Sequence, residues 1–215
     1  MEAILNDLAA RHPVLGPAIP QVRRAAEMIC ETFDAGRKLL ICGNGGSGAD
    51  SEHIAGELLK SFVRKRPVTP EQRAALTGRF GADGAYLADR LERGLPCVSL
   101  LSHPAFATAF GNDVEAELVY AQQLFALGRP GDLLIGISTS GNAENVRQAM
   151  MTAAACGIRR ILLTGARPGK CAPYADCVLA VPETETYKVQ ELHLPVYHAL
   201  CMIAEAHVFG EEERR

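Results

Sequence analysis

The sequence of 215 residues lacks several features that would assign it to a class at once. It has no apolar run long enough to span a bilayer, and residues 1–7 lack the basic segment and apolar stretch of a signal peptide. The formal net charge is -3, which provides no uniform positive field for nucleic acid. We expect a cytoplasmic protein that binds neither membranes nor nucleic acid.

Disulfide and nucleotide motifs are also missing. The seven cysteines are scattered without a Cys-x-x-Cys pair, which indicates a reducing compartment. The glycine-rich segment at Gly43 is not followed by Gly-Lys-Ser/Thr, and Gly43-Asn44-Gly45 lacks the rest of a dinucleotide fingerprint, so ATP and NAD are poor candidate ligands. There is no internal repeat, and 48% hydrophobic residues are enough for one substantial core.

What is present is an alternation of short apolar runs with longer helical patterns, which is typical of βαβ units and a parallel sheet. The runs are 39–42, 96–101, 133–137, 161–163 and 177–181. Most carry few polar residues, as expected of strands covered by helices on both faces.

The runs also suggest how the chain is divided. A helix is predicted over 21–35 and ends at Gly36, so we take residues 1–36 as an N-terminal helical segment and 37–215 as an α/β domain. The stretch at about 66–94 is long for a connection, and we interpret it as an insertion, either a lid or a surface excursion, with a short helical pattern at 86–91.

Two polar loops follow strand-like runs and precede helical ones. They are Gly43-Asn44-Gly45-Gly46-Ser47-Gly48 and Ser138-Thr139-Ser140-Gly141-Asn142. Each aims backbone N–H groups and hydroxyls at a place where an anion would sit. Because ligands of parallel sheets bind at the carboxyl ends of the strands, one pocket can use both loops. The pattern favours a phosphorylated small molecule.

Two pairs of side chains are candidates for chemistry. His53 and Glu57 are four residues apart on one helical face, and they chelate a metal, share a proton or form an ordinary exposed pair. Gln190 and His198 are separated by about 12 Å of helix rise. One ion reaches both only if Pro195 bends the helix, if long side chains converge, or if different subunits supply the ligands.

Other polar residues have plainer interpretations. We expect Asp113 to be a helix N-cap, and Asn112 either has no special role or holds a sugar hydroxyl. His193 is predicted on a polar face or at an interface. The basic cluster 64–66 is predicted to be a solvated face of the insertion.

Together these residues resemble a known family. The motifs are 43–47 with His53 and Glu57, Gly111-Asn112-Asp113, Gly136-Ile137-Ser138-Thr139-Ser140-Gly141-Asn142, Leu163-Thr164-Gly165, and Gln190-Glu191 with His198. They are similar to motifs of the sedoheptulose 7-phosphate isomerases (phosphoheptose isomerases) of the SIS (sugar isomerase) domain superfamily. The match runs in order from about Arg37 to Glu205.

The resemblance implies a fold, an assembly and a reaction. The fold is a three-layer α/β/α sandwich with a five-stranded parallel sheet of flavodoxin-like type, with N-terminal helices that pack in the oligomer. The assembly is a cytoplasmic homotetramer with active sites at subunit interfaces and one zinc ion per subunit. The reaction converts sedoheptulose 7-phosphate to D-glycero-D-manno-heptose 7-phosphate through an enediol, towards the heptoses of lipopolysaccharide or other glycoconjugates.

The resemblance also implies roles for single residues, matched position by position. The implied substrate contacts are Asn44, Gly45, Gly46, Ser47, Glu57, Asn112, Asp113, Ser138, Thr139, Ser140 and Gln190. The implied metal ligands are His53, Glu57, Gln190 and His198. Glu57 and His198 also match the acid/base pair, and a carboxylate and an imidazole can divide the proton transfers of an aldose–ketose interconversion.

The chain departs from the family pattern at Ala143, where a serine is common, and at Tyr187-Lys188, to which no function is transferred. Loss of one hydroxyl contact to a phosphate weakens binding by about 1.5 to 3 kcal/mol. Two alternatives stay open. One is an isomerase of a different phosphosugar, and the other is a non-catalytic SIS adaptor or sensor, such as a protein associated with a replication initiator.

Overall fold

The structure is a computed structural model that describes residues 1–210, so the tail 211–215, which the sequence predicts to be solvated, lies outside the described residues. All five predicted strands are present. They are β1 Leu39–Gly43, β2 Cys97–Ser99, β3 Leu133–Ile137, β4 Arg159–Thr164 and β5 Cys177–Ala180. The second strand is shorter than the predicted run 96–101, because the chain turns after Ser99.

Helices connect the strands and cover both faces of the sheet. They are α1 Glu2–Arg11, α2 Ile19–Asp34, α3 Gly45–Leu59, α4 Pro70–Ala88, α5 Pro104–Phe110, α6 Val119–Leu127, α7 Glu144–Ala155 and α8 Thr186–Phe209. Short 3₁₀ turns occupy Pro13–Ala18, Ala116–Leu118 and Gly169–Tyr174, and a π-turn occupies Gly111–Glu115. Within the described part of the chain, no helix combines the length and apolarity that a membrane crossing needs.

The sheet is parallel throughout, with the strand order β2-β1-β3-β4-β5. The direction of winding therefore reverses between the neighbouring strands β1 and β3. Their last residues, Gly43 and Ile137, are paired. In such folds the crevice at the carboxyl ends of the two strands at the reversal is the usual binding place. Both predicted phosphate loops leave the sheet at this point.

Two apolar cores lie between the three layers, one on each face of the sheet. Alternate residues of a strand point to opposite faces. On one face, Leu39 and Ile41 pack with side chains of α2, α3 and α8. On the other, Leu40 and Cys42 pack with side chains of α6 and α7. The predicted α/β/α sandwich with a five-stranded parallel sheet is confirmed.

The N-terminal segment 1–36 is helical, as predicted. Within the subunit α2 packs against α8 and β5, and Leu5 and Leu8 of α1 are buried in the same core. The boundary at 36/37 and the role of this segment in oligomerisation stay predictions.

The insertion is more helical than predicted. Helix α4 spans Pro70–Ala88 instead of the short pattern at 86–91. The backbone leaves helical geometry at Gly81, where φ is 56°, and the chain folds back into a helical hairpin. Gly84 then lies so close to the first arm that a Cβ would be 2.0 Å from the Leu76 carbonyl oxygen. Glycines at 78, 81 and 84 weaken the helical pattern in the sequence, which explains the wrong prediction.

The start of α4 carries a local signal. The Thr69 hydroxyl accepts the Gln72 amide proton, and the Gln72 side chain accepts the Thr69 amide proton, which is a capping box with Pro70 at the first position. A groove separates the hairpin from the body of the protein. Its lining includes Arg37 and Pro96, which precede β1 and β2, so the hairpin lies at the amino ends of the strands, away from the two loops.

His193 is neither on a polar face nor exposed, so that prediction was wrong. Its side chain is fully buried on α8, and its Nε2–H donates to the Thr164 carbonyl oxygen over 3.2 Å. Burial lowers the pKa of His193 to about 4, and the bond to Thr164 opposes this only in part. The imidazole is therefore held neutral in the core because α8 packs directly on β4.

This burial predicts a pH dependence of stability. The folded pKa of about 4 lies below the ordinary 6.5, so the unfolded state binds the proton first as pH falls. The free energy of unfolding should drop by about 2 kcal/mol between about pH 7.5 and pH 5 because of this group. His193→Gln keeps an N–H donor near the Nε2 position and cannot titrate. Chemical denaturation across this range should show a shallower slope for the variant, and equal slopes would contradict the assignment.

Candidate active site

The two predicted loops lie side by side at the carboxyl ends of β1 and β3. Helix α3 begins at Gly45, so most of the first glycine-rich segment forms the first turn of the helix. The second loop precedes α7, whose N-cap is Ala143. The first amides of a helix have no partner within it and carry the positive end of its dipole. Two helix N-termini therefore face one crevice, which suits a phosphate.

Direct hydrogen bonds fix the two loops to each other. The Asn44 side-chain nitrogen donates to the Asn145 side-chain oxygen over 2.8 Å, and the Asn145 side-chain nitrogen donates to the Asn44 side-chain oxygen over 2.9 Å. The Tyr120 hydroxyl donates to the Gly43 carbonyl oxygen over 2.5 Å. The sequence reasoning missed Tyr120 and Asn145, because no local pattern shows that α6 and α7 reach the end of β1.

The second loop is ordered by its own side chains and by a close backbone contact. Ser138 is buried, and its hydroxyl accepts the Ala143 amide proton over 3.3 Å. Gly141 has a φ of 65°, and a Cβ there would lie 1.8 Å from the Pro168 carbonyl oxygen. The turn therefore requires glycine at this position, while Thr139 and Ser140 remain partly or fully open to a ligand.

Gln190 lies beside the first phosphate loop, at the start of α3. A Cβ added to Gly46 would lie 2.5 Å from the Gln190 side-chain nitrogen, so the amide rests directly on the first turn of α3. Helix α8 continues through Pro195, and His198 lies about 12 Å further along it. Within one subunit Gln190 and His198 are therefore not brought to one ion, and the four-ligand metal set stays a prediction that needs ligands from different subunits.

His53, Glu57 and His198 form a cluster where α3 packs on α8. His53 Nε2 lies 3.3 Å from Glu57 Oε1, and the rings of His53 and His198 are 5.1 Å apart in an edge-to-face arrangement. Burial, followed by the neighbouring His53, lowers the pKa of His198, and the Glu57 carboxylate opposes this. The predicted acid/base pair is thus in one place, and the pair of His53 and Glu57 is more than an isolated exposed contact.

A relay behind His53 was missed in the sequence. The Tyr197 hydroxyl donates to Asp50 Oδ1 over 3.2 Å and lies 3.0 Å from His53 Nδ1. With the hydroxyl proton on the Asp50 side, His53 Nδ1 donates to Tyr197 and Nε2 is an acceptor, while the contact of the ring with Tyr197 is compatible with either tautomer. Asp50 is three residues before His53 and Tyr197 is one before His198, but spacing alone did not predict their contact.

The donor types in this cluster fit zinc. His53 Nε2 faces a Glu57 oxygen, and in the tautomer without a proton on Nε2 a cation between the two atoms satisfies both. His198 Nε2 is buried without a hydrogen-bond partner, and zinc takes imidazole nitrogen and carboxylate oxygen. Among residues 1–210, however, no three His, Cys, Asp or Glu side chains are gathered in ligating positions. Binding would require a shift of the side chains or a ligand from elsewhere.

The cluster and the loops are separated along α3. From Gly46 to Glu57 the helix rises by about 16 Å, which exceeds the reach of a single sugar phosphate bound at the loops. Within one subunit the structure therefore brings Gln190 to the loops and His198 to Glu57, but it does not join the two halves.

The prediction that Asp113 is a helix N-cap was wrong. Asp113 is not an N-cap, because helix α5 begins at Pro104 and runs directly into the π-turn that contains both residues. The Asn112 side-chain nitrogen donates to Asp113 Oδ1 over 2.9 Å, and both residues are exposed. A π-turn inside a helix is frequent at functional sites. Their predicted contact with substrate stays a prediction.

The fold and the paired loops are those of a sugar isomerase domain protein. The family model described as "SIS domain" matches residues 16–93 and 88–165. A phosphoheptose isomerase structure from Neisseria gonorrhoeae superposes with a TM-score of 0.69 at 32% identity, over 92% of each chain. One from Francisella tularensis gives 0.71 at 30% identity, over 86% of this chain and 85% of that one.

Relatives found by sequence are phosphoheptose isomerases, one family within the SIS domain proteins. A phosphoheptose isomerase of Roseiflexus sp. (strain RS-1) is 39% identical over 89% of this chain and 84% of the relative. One of Clostridium acetobutylicum is 35% identical over 97% of this chain and 94% of the relative. The chain belongs to the phosphoheptose isomerase family, and it is an isomerase.

The second loop provides a test of the turn geometry. Gly141→Ala should disrupt it because the new Cβ meets the Pro168 carbonyl, whereas Gly45→Ala has the same type of positive φ with nothing within 4 Å. Gly45→Ala should lower the free energy of unfolding by only about 1 to 2 kcal/mol. Gly141→Ala should lower it further. Denaturation curves compare the two variants, and equal losses would refute the close approach.

Proposed function

We propose that this protein converts sedoheptulose 7-phosphate to D-glycero-D-manno-heptose 7-phosphate through an enediol. The observation that carries the proposal is the cluster of Glu57, His53 and His198 in a protein with two phosphate-type loops at the strand reversal. An adaptor or sensor needs no acid/base pair, so this cluster favours catalysis over the non-catalytic alternative. Family membership supports the choice of substrate.

The loops bind and orient the sugar phosphate. Amides at the starts of α3 and α7, with the hydroxyls of Ser138, Thr139 and Ser140, hold the phosphoryl group. The backbone and side chain of residues 44–47 and the Gln190 amide beside Gly46 hold the adjoining sugar hydroxyls. Ala143 offers no hydroxyl, so phosphate binding relies more on backbone amides here than in relatives with serine.

Glu57 and His198 divide the proton transfers. Glu57 takes the proton from the carbon next to the carbonyl and returns it to the neighbouring carbon. His198 moves the proton between the two oxygens, and its lowered pKa keeps the imidazole neutral before reaction. Asn112 and Asp113 bind hydroxyls of the sugar chain. The rings of His198 and Phe62, both partly buried, are 5.4 Å apart, and this contact limits access of water to this side.

Zinc is proposed as the cofactor, one ion per subunit, held by His53, Glu57 and His198 with Gln190 as a further ligand. When bound, it would act as a Lewis acid for the negative charge on the sugar oxygens. The separation of Gln190 from His198 by about 12 Å means that one of them would come from a neighbouring subunit.

The same separation supports active sites at subunit interfaces in a homotetramer. The cluster of one subunit would meet the loops of another. Leu194 lies between Gln190 and His198 on one helical face and is 41% exposed, as expected of a residue that a neighbouring subunit covers. Leu59 and Val63, next to the cluster, are also exposed. We place the assembly in the cytoplasm, with the heptose product destined for lipopolysaccharide or another glycoconjugate.

Glu57→Gln tests the acid/base assignment. The variant keeps the size of the side chain but cannot accept a proton, so turnover of sedoheptulose 7-phosphate should fall by about 10²- to 10⁴-fold. Glu52→Gln, on the exposed side of the same helix, is the control and should retain activity. Sedimentation should find the same oligomer for both. Full activity of Glu57→Gln would remove this residue from its role, and a panel of ketose phosphates tests the alternative substrate.

Metal analysis tests the cofactor. Elemental analysis of purified protein should find about one zinc per subunit, and His53→Asn should lower this content because Nε2 is lost as a ligand. Removal with a chelator should lower the turnover rate, and added zinc should restore it. A rate that survives complete removal of zinc would make the ion unnecessary for the reaction.

A further inference from the structure

A buried ion pair joins the helices that carry the acid/base residues. Arg66 Nε donates to Glu205 Oε1 over 2.7 Å, and both side chains have no exposed surface. The prediction that the cluster 64–66 forms a solvated face is therefore wrong for Arg66. Burying both charges costs much of what their attraction returns, so such a pair adds little net stability over an apolar one. Because the pair adds little stability, its role must lie in the positions of the groups that it holds.

The arginine binds the end of α3. One terminal nitrogen donates to the Leu58 carbonyl oxygen over 2.7 Å, and the other donates to the carbonyl oxygen of Glu57 itself over 3.1 Å. The last carbonyls of a helix have no partner within it and carry partial negative charge. The planar guanidinium thus serves as a cap that fixes the backbone of the proposed catalytic carboxylate.

The glutamate fixes the next segment. Its carboxylate accepts three consecutive backbone amides, from Phe62 at 2.9 Å, Val63 at 3.0 Å and Arg64 at 3.2 Å. Successive amides around one anion form a rigid nest. Phe62 also contacts the His198 ring, so this segment is part of the wall of the acid/base cluster.

The pair is anchored on the helix of the other catalytic residue. Glu205 lies two turns after His198 on α8, hence on the same face. Arg66 therefore ties the backbone of Glu57 to the helix that carries His198. The insertion starts directly afterwards, and the Arg93 amide after the hairpin donates to the Arg66 carbonyl over 2.7 Å. This bond joins the two ends of the hairpin beside the ion pair.

We propose that Arg66 and Glu205 are positioning residues that set the separation of Glu57 and His198 for proton transfer. The inference rests on the proposed function. A displacement of about 1 Å in a reacting group can cost about 10²-fold in rate. Within the subunit the pair contacts the backbone at Glu57 and the wall of the cluster, not the phosphate loops, so it should affect turnover more than substrate binding.

The test replaces the pair without leaving a lone buried charge. Arg66→Met with Glu205→Gln removes both charges and keeps one of the two oxygens that accept the loop amides. We expect kcat for sedoheptulose 7-phosphate to fall by about 10- to 100-fold, with KM changed less than about 2-fold. If this variant does not fold, Arg66→Lys keeps the charge but loses the fork to both carbonyls, and we expect a loss of at least about 10-fold in kcat.

A control exists at a second buried carboxylate, away from α3 and α8. Lys38 Nζ lies 2.5 Å from Asp132, whose side chain is 1% exposed and also accepts the amides of Lys38 and Arg129. Lys38→Met with Asp132→Asn removes an ion pair of a buried carboxylate and a partly exposed lysine at the amino ends of β1 and β3. It should leave kcat within about 2-fold of the unmodified protein, after correction for the folded fraction.

A second measurement does not depend on turnover. Imidazole resonances of His53 and His198 in NMR spectra report their contact with Glu57, and they should shift in the Arg66 variants but not in the Lys38 control. If the unmodified protein does not isomerise the sugar, the proposed function fails while the resonances still decide the positioning role. Folded Arg66 variants with unchanged kcat and unchanged resonances would overturn the inference.

Discussion

The reversal of winding between β1 and β3 is the constraint on which the rest of the site depends. Two parallel neighbours send their connections to opposite faces, α3 to one and α7 to the other, so both helices start at the same crevice. The bonds between Asn44 and Asn145 then hold the two starts at a fixed distance. A phosphate site follows from backbone geometry before any charged side chain is considered.

The packing of α3 along α8 supplies the second half of the chemistry. The two helices run side by side, with Gln190 on Gly46, Tyr197 on His53 and Glu205 near the end of α3. A polar seam between two helices is costly unless every group is paired, and here hydroxyls, carboxylates and amides satisfy most of it. Two of the buried atoms without a partner, His198 Nε2 and Asp50 Oδ2, lie at the acid/base cluster, where an unpaired group remains available for reaction.

Errors in the sequence predictions have a common cause. Arg66 and His193 were placed at the surface because their residue types prefer water, but a carboxylate partner and a carbonyl acceptor came from distant parts of the chain. Asp113 was assigned as a cap because the continuation of α5 through a π-turn leaves no local signal. The glycines of α4 obscured its helix, since a hairpin uses them for close approach instead of for termination.

The sequence by itself determined the parallel α/β sandwich, the five strands, the two loops and the family. Short continuous apolar runs and the glycines that follow them are local signals, so they can be recognised without the tertiary structure. It also gave Glu57 and His198 as partners through the resemblance. Only the tertiary structure decided which residues surround them: the relay through Tyr197, the cap from Arg66 and the distance between cluster and loops. These depend on how α3 and α8 pack, and contacts between segments more than a hundred residues apart carry no periodicity in the chain.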